Sequence, residues 1–168
     1  MSAPQLKIRT VESFDLPVLV ALHEACFTEA WDQRWSQKSF SEVLAMPGAG
    51  ARIAAIGTEP VGFALARIAA DEAELLLIGI HPEHRRGGHG RALLQHMLEA
   101  LQRGGARQVF LEVAENNAAA NRFYRAMGFR PVGRRTGYFQ AATAIDALVM
   151  AKPLGVREAQ GEGQELSQ

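Results

Sequence analysis

The sequence predicts one mixed α/β domain, and three observations carry that expectation. Segments with strand-like alternation and segments with apolar residues at helical spacing follow one another from residue 6 to about residue 154. A continuous apolar run, "EAELLLIGIHP", ends at Pro82 and reads as a central strand buried on both faces. A length of 168 residues with 48% apolar and 21% charged content suits a single globular core.

Taken in order, "LKIRTV" alternates and reads as the first strand. "SFDLPVLVALHEACF" opens on Ser13, a candidate N-cap, and carries Leu16, Leu19, Val20, Leu22 and Phe27 along a helix. "WSQKSFSEVLAM" is a shorter helix stopped by Pro47 and Gly48. "ARIAAIG" and "PVGFALARIAA" read as strands joined at "GTEP". The central run comes next, then "HPEHRRGGHG". After that loop Leu93, Leu94, Met97, Leu98 and Leu101 share one helix face, and "RGG" stops the helix. "RQVFLEV" is a strand, "NNAAANRFYRAMGF" a short helix ending at Gly128, and two last strands fall near "RPVGRRTGYF" and "DALVMAKPL". The domain is therefore placed at 1–154. Residues 155–168 hold almost no apolar side chains and read as a disordered tail.

The totals exclude several classes. No apolar run approaches the ~20 residues needed to cross a membrane, and "MSAPQLKIRT" has no stretch of signal-peptide type. The one cysteine, Cys26, permits no intramolecular disulfide and reads as core filler. A cytoplasmic protein is expected. No histidine pair has metal-site spacing, so no metal is expected. Net charge is zero but uneven: residues 81–135 hold ten arginines against four glutamates. Because no stacking aromatics are interleaved there, an anionic small molecule is the expected partner rather than nucleic acid.

Three stretches carry candidate chemistry. In the loop, glycines let the backbone approach a ligand, and the helix that follows presents unpaired N–H groups to an anion. Arg85, Arg86 and Arg91 add full charges. A plain basic turn is the alternative, since this is neither a dinucleotide fingerprint nor a P-loop. In "VFLEVAENN", Val109, Leu111 and Val113 face one way and Phe110 and Glu112 the other, so Glu112 is either used, ion-paired, or on a wet face. In "NNAAANRFYRAMGF", Asn117 and Tyr124 lie two helical turns apart, as functional groups or as a cap and a core aromatic.

Together these stretches resemble the GNAT superfamily of acyl-CoA-dependent N-acetyltransferases. Arg85-Arg86-Gly87-Gly88-His89-Gly90 fits that family's [RQ]xxGx[GA] loop, Asn117, Ala120 and Tyr124 fit its N-x-x-A-x-x-x-Y segment, and "YRAMGF" fits its Y-x-x-x-G-F ending. The resemblance runs from about residue 6 to 154 and is densest over 72–130. Within the superfamily the chain is similar to RimI-type enzymes, which acetylate the N-terminal amine of ribosomal protein S18. "WSQKSF", "DEAELLLIGIHPEHRRGGHGRALLQHML", "LEVAENNAAANRFYRAMGF" and "IDALVMAKPL" carry that likeness. The chain departs from the type at Ala114 and Asn116, where an arginine and a serine or threonine are usual, and in the uncharged "QAATAI".

The resemblance implies a mixed sheet of six or seven strands, splayed between the strands near 73–81 and 107–113. It implies acetyl-CoA as cofactor, with Ile78, Gly79, Ile80, Arg85, Arg86, Gly87, Gly88, His89, Gly90, Arg91, Asn117 and Phe123 around it. Glu112 matches the family's general base and Tyr124 its general acid. Trp31, Trp35, Tyr138 and Phe139 become candidate walls of the acceptor pocket, though Trp35 reads first as a core anchor. Gly79 suits either close approach of the pantetheine arm or a bulge. The chemistry is consistent with such groups. An α-amine with pKa near ~7.7–8.0 must lose a proton before it attacks a thioester, and the leaving thiolate must gain one. The expected activity is acetyl transfer to a protein N-terminal α-amine by direct attack, with a protein or peptide N-terminus as partner and a monomer or dimer as the state. A GNAT acting on a small amine or a lysine side chain is the enzyme alternative. A CoA-binding or RNA-binding module is the non-enzyme one.

Overall fold

A computed structural model describes residues 2–29, 32–139 and 144–155, with the side chain of Phe139 outside the description. Its elements are β1 (Leu6–Thr10), α1 (Leu16–Cys26), α2 (Gln37–Leu44), β2 (Ala49–Ile56), β3 (Glu59–Ala69), β4 (Glu72–Ile80), α3 (His89–Arg103), β5 (Gln108–Ala114), α4 (Ala118–Ala126), β6 (Arg130–Phe139) and β7 (Ile145–Pro153). The seven strands form one sheet in the order β1-β2-β3-β4-β5-β7-β6. All neighbours are antiparallel except β4 and β5, which α3 joins as a parallel crossover. The mixed α/β expectation and its strand count hold. The tail expected from 155 onwards falls almost wholly outside the described residues.

Local sequence explains the joints. Gly57, at φ +61°, and Thr58 close the β2–β3 hairpin between Ile56 and Glu59. Ser36 caps α2, its Oγ accepting from the Ser39 N–H at 3.1 Å. Ser13, expected to cap the first helix, instead lies inside a 3-10 turn, Ser13–Asp15, that precedes α1. Asp15 takes the organising role. Its Oδ2 accepts from the Glu12 N–H at 2.8 Å, and its carboxylate is bridged by Arg9 at 2.6 and 2.7 Å. Those bonds, the backbone one included, hold the buried carboxyl below the usual range.

Hydrophobic clusters pack on both sides of the sheet. Leu93, Leu94, Met97, Leu98 and Leu101 of α3 cover Val109, Leu111 and Val113 of β5 and Leu75 of β4. Leu19 and Leu22 of α1 and Phe40 of α2 cover Ala51, Ile53, Phe63 and Leu65 on the opposite face. The strand "EAELLLIGI" is not buried on both faces throughout, as its composition suggests, because Leu76–Gly79 are only half-buried. The reason is the loss of its neighbour. β4 and β5 pair only from Glu72↔Gln108 to Glu74↔Phe110, and beyond that point the two strands part.

Candidate active site

The parting strands open a cleft of about 770 Å³ lined by Leu75–Ile80 of β4, Leu111–Ala114 of β5, the loop before α3, the first turns of α3 and α4, and the end of α1. A register shift marks where the opening starts. Leu65 pairs with Leu77 but Ala66 with Leu75, so Leu76 is the extra residue of a bulge in β4. Bulges sharpen twist and turn a strand away from its neighbour. From there to Ile80, backbone groups of β4 that face away from β3 look into the gap.

At one end of the cleft, a 3-10 turn at Pro82–His84 leads into the loop and α3. Arg86 and Gly88 both have positive φ, at 69° and 77°, and Gly88 is the N-cap of α3. This backbone lets the first-turn N–H groups of His89, Gly90 and Arg91 point outward without intrahelical partners. With Arg86 and Arg91 beside them on the cleft wall, they form a concave cationic end suited to a pyrophosphate. Phe123 of α4 packs near this turn: a Cβ on Gly90 would stand 3.7 Å from its ring. Arg85 is held differently. Its Nε donates to the Ile80 carbonyl at 3.0 Å and a terminal nitrogen to the Cys26 carbonyl at 3.4 Å, so it ties the loop to β4 and α1.

Glu112 and Tyr124 both line the cleft. Strand alternation turns Glu112 away from the α3 core, as expected, and its carboxylate stays 18% exposed. Arg135 of β6 donates from Nη1 to Glu112 Oε1 at 2.5 Å and lies over the Tyr138 ring at 4.4 Å. Tyr124 is half-buried, its ring 5.4 Å from Phe123 and 5.8 Å from Phe129. Desolvation pushes its hydroxyl well above the ordinary phenol range, so it stays protonated and able to donate. Asn117 is the N-cap of α4, with Oδ1 accepting from the Ala120 N–H at 3.2 Å while the residue also borders the cleft. Asn117 thus caps α4, as one of its readings has it, from a position on the cleft wall.

Of the other sequence candidates, Ile78, Gly79, Ile80, His89 and Trp35 line the cleft, while Gly87 and Tyr138 do not. Trp31 and the Phe139 side chain lie outside the described residues. Trp35 also packs on Phe40 at 5.1 Å, which makes it an anchor at the cleft rim. Gly79 lines the cleft and is not the bulge residue that its position also suggested. The bulge falls at Leu76, and a Cβ on Gly79 would meet Cys26 Cβ at 2.9 Å and Sγ at 3.0 Å, so α1 fills the missing side chain's space. Sequence reasoning missed His23, Cys26 and Phe27, which line the α1 side together with Asp32, and Arg135, which bridges Glu112. Only the spacing of His23 and Phe27, one helical turn apart, could have signalled the first group. Burial keeps the His23 imidazole below its usual pKa, and its ring stacks on Phe27 at 4.7 Å.

Residues 16–129 match the family model described as the Acetyltransferase (GNAT) family. The chain belongs to the GNAT acetyltransferase family. It is an N-acetyltransferase, and the cleft just described is built from the segments by which the sequence resembled that family. Among relatives of this GNAT chain, the [ribosomal protein bS18]-alanine N-acetyltransferase of Escherichia coli K12 is 31% identical over 150 residues, covering 89% of this chain and 98% of that one. The N-alpha-acetyltransferase RimI of Mycobacterium tuberculosis is 37% identical over 128 residues, covering 74% and 78%. The crystal structure of the E. coli ribosomal-protein-S18-alanine N-acetyltransferase superposes with a TM-score of 0.81 at 28% identity, over 98% of this chain and all of that one. Among the described residues no cluster of His, Cys, Asp or Glu is arranged to hold a metal ion, and no helix is long and apolar enough to cross a membrane.

Proposed function

We propose that this GNAT enzyme transfers an acetyl group from acetyl-CoA to the N-terminal α-amine of a protein, with an alanine terminus of the kind named for its bS18-acetylating relatives as the acceptor. The observation that carries the reading is the cleft itself. An anion cradle closes one end, and a carboxylate and a protonated phenol line the walls. The donor fits the residues present: Arg86, Arg91 and the α3 amides take its phosphates, while Asn117 and the parted edges of β4 and β5 flank its arm. Bound acetyl-CoA supplies a thioester, whose carbonyl carbon is open to attack by an amine.

Each protein group has one task in this scheme. The Glu112 carboxylate, directly or through a water, accepts the proton that the α-ammonium must lose. A backbone N–H of β4 in the gap past the Leu76 bulge donates to the carbonyl oxygen as its negative charge grows. Tyr124 Oη delivers a proton to the departing sulfur. The acceptor enters along the α1 side, past Phe27, Asp32 and Trp35.

Mass spectrometry with two peptides tests the proposal. One has a free N-terminal alanine and no lysine; the other has a blocked N-terminus and an internal lysine. Acetylation of the first alone is expected. Acetylation of the second alone refutes α-amine specificity in favour of a lysine acceptor. Reaction of neither, with CoA still bound, moves the acceptor to small molecules.

A further inference from the structure

The sheet register gathers charges around Glu112 that the scheme above leaves unused. Glu74 of β4 stands opposite Phe110, two residues before Glu112 on β5. Glu112 stands opposite Val149, which pairs with Gly133, and Arg135 stands opposite Ala147. Side chains two residues apart on a strand share a face, so Glu74, Glu112 and Arg135 all rise from the side of the sheet that bears α1 and α2. Among the described residues those helices pack on β2 to β4. The other charged or titratable groups here are Glu72 of β4, Arg67 of β3, paired opposite Glu74, and Tyr138 of β6.

Within this group the single cation at Glu112 is Arg135, at 2.5 Å. Arg67 is turned aside, its Nε donating to the Pro47 carbonyl at 3.2 Å. Glu74 makes no ion pair among the described residues. Although Glu74 is exposed, desolvation and then the negative charge of Glu112 raise its pKa, while Arg135 and Arg67 lower it. Glu74, Glu112 and Arg135 thus sense one another, and two carboxylates share one nearby guanidinium.

That arrangement conflicts with the task given to Glu112. The Arg135 guanidinium occupies Glu112 Oε1, an atom that an incoming ammonium would need. An α-ammonium approaching it also meets Arg135 as a like charge. We propose that Arg135 is a counter-ion that guards Glu112 until the acceptor arrives, and that Glu74 is the positioning residue that receives Arg135 when the α-ammonium takes its place. The exchange trades one ion pair on Glu112 for another and creates a new one at Glu74, so no charge is left unpaired. The ammonium proton then passes to Glu112 while Arg135 stays protonated throughout. The inference rests on the assignment of Glu112 as proton acceptor.

A double-mutant cycle tests it, with acetyl-CoA and the lysine-free peptide bearing an N-terminal alanine. Glu74→Gln leaves Arg135 with nowhere to go and is expected to lower kcat/KM for the peptide about tenfold, chiefly through KM. Arg135→Gln removes the guanidinium that Glu74 would receive, so the dependence on Glu74 is expected to vanish with it. In that background Glu74→Gln is expected to cost less than twofold, and Glu74→Asp, which keeps the charge, is expected to recover most of the parental rate. A merely structural Glu74 would show neither this loss of coupling to Arg135 nor rescue by aspartate. Equal losses from Glu74→Gln with and without Arg135, or a Glu74→Gln variant with parental kcat/KM, overturn the relay. Glu112→Gln serves as the reference in the same assay. If it keeps parental kcat, the assignment of Glu112 fails and the relay with it; if it is inactive while the cycle is additive, the relay alone fails.

Discussion

Replacing Tyr124 by phenylalanine isolates one oxygen atom. The ring contacts with Phe123 and Phe129, at 5.4 and 5.8 Å, survive the change, and the Tyr124 hydroxyl makes no hydrogen bond among the described residues. Stability is therefore expected to move by less than about 1 kcal/mol. The cradle at the start of α3 does not include Tyr124, so the Kd for CoA measured by calorimetry is expected to stay within about twofold. Turnover is another matter. A positioned proton donor contributes ~10²–10⁴ in rate, or about 3–5 kcal/mol of transition-state stabilisation.

The pH dependence sharpens the expectation. Because burial holds the Tyr124 hydroxyl far above the ordinary phenol pKa, it is a donor across the whole range from about pH 6 to 9. The ratio of parental to Tyr124→Phe kcat, followed by thiol release at saturating substrates, should then be large and flat over that range. A ratio that grows with pH would mean that the anionic form works, as a base. A ratio near one at every pH would refute the reasoning outright.

The remaining predictions concern the frame of the cleft. Gly88→Val puts a β-branched residue at φ +77°, in open space but strained by ~1–3 kcal/mol, and should weaken CoA binding about tenfold or more by calorimetry; an unaltered Kd would show that the loop is no phosphate cradle. Gly79→Ala forces a methyl to within 2.9 Å of Cys26 Cβ and should cost ~1–3 kcal/mol in denaturant unfolding, against no change if α1 can move aside freely. His23 is buried, with Nε2 unpartnered among the described residues and a lowered pKa, so the unfolded chain binds a proton there before the native one does. Its contribution to stability should be lost as pH falls below its unfolded value of ~6.5, and His23→Phe should flatten the slope of the urea midpoint between about pH 7 and 5. An unchanged slope would place the titration elsewhere, with His96, also lowered by burial, the first alternative.

What the sequence revealed and what it hid divide along physical lines. Glycine at 88, apolar spacing from Leu93 to Leu101, and the alternation around Glu112 are local signals, and each led to the right element. The capping of the first helix was misread because a serine is a common cap, whereas here Asp15 is fixed by Arg9, six residues away on a neighbouring strand. The half-burial of β4 was invisible because "EAELLLIGI" looks the same whether its neighbour is paired or parted. Gly79 shows the same limit. A glycine in a strand announces a close approach, but which group approaches depends on how α1 crosses the sheet. The partnership of Arg135 with Glu112 spans 23 positions and depends on β7 lying between their strands. No local pattern encodes it.

A single departure from regular pairing underlies the whole site. Had β4 continued in register with β5 beyond Glu74, its amides would be spent on ladder bonds and Glu112 would lie beside a closed sheet. The extra residue at Leu76 and the end of pairing after Glu74 instead leave backbone donors facing a gap, with an apolar wall on each side and the α3 N-terminus at one end. The α3 core on the other face holds the strands in place while they part, because Leu75, Leu111 and Val113 remain anchored beneath it. The sheet can thus give up backbone pairing at its centre without losing its core. Glu112, turned to the face opposite that core, therefore borders the gap rather than a closed ladder.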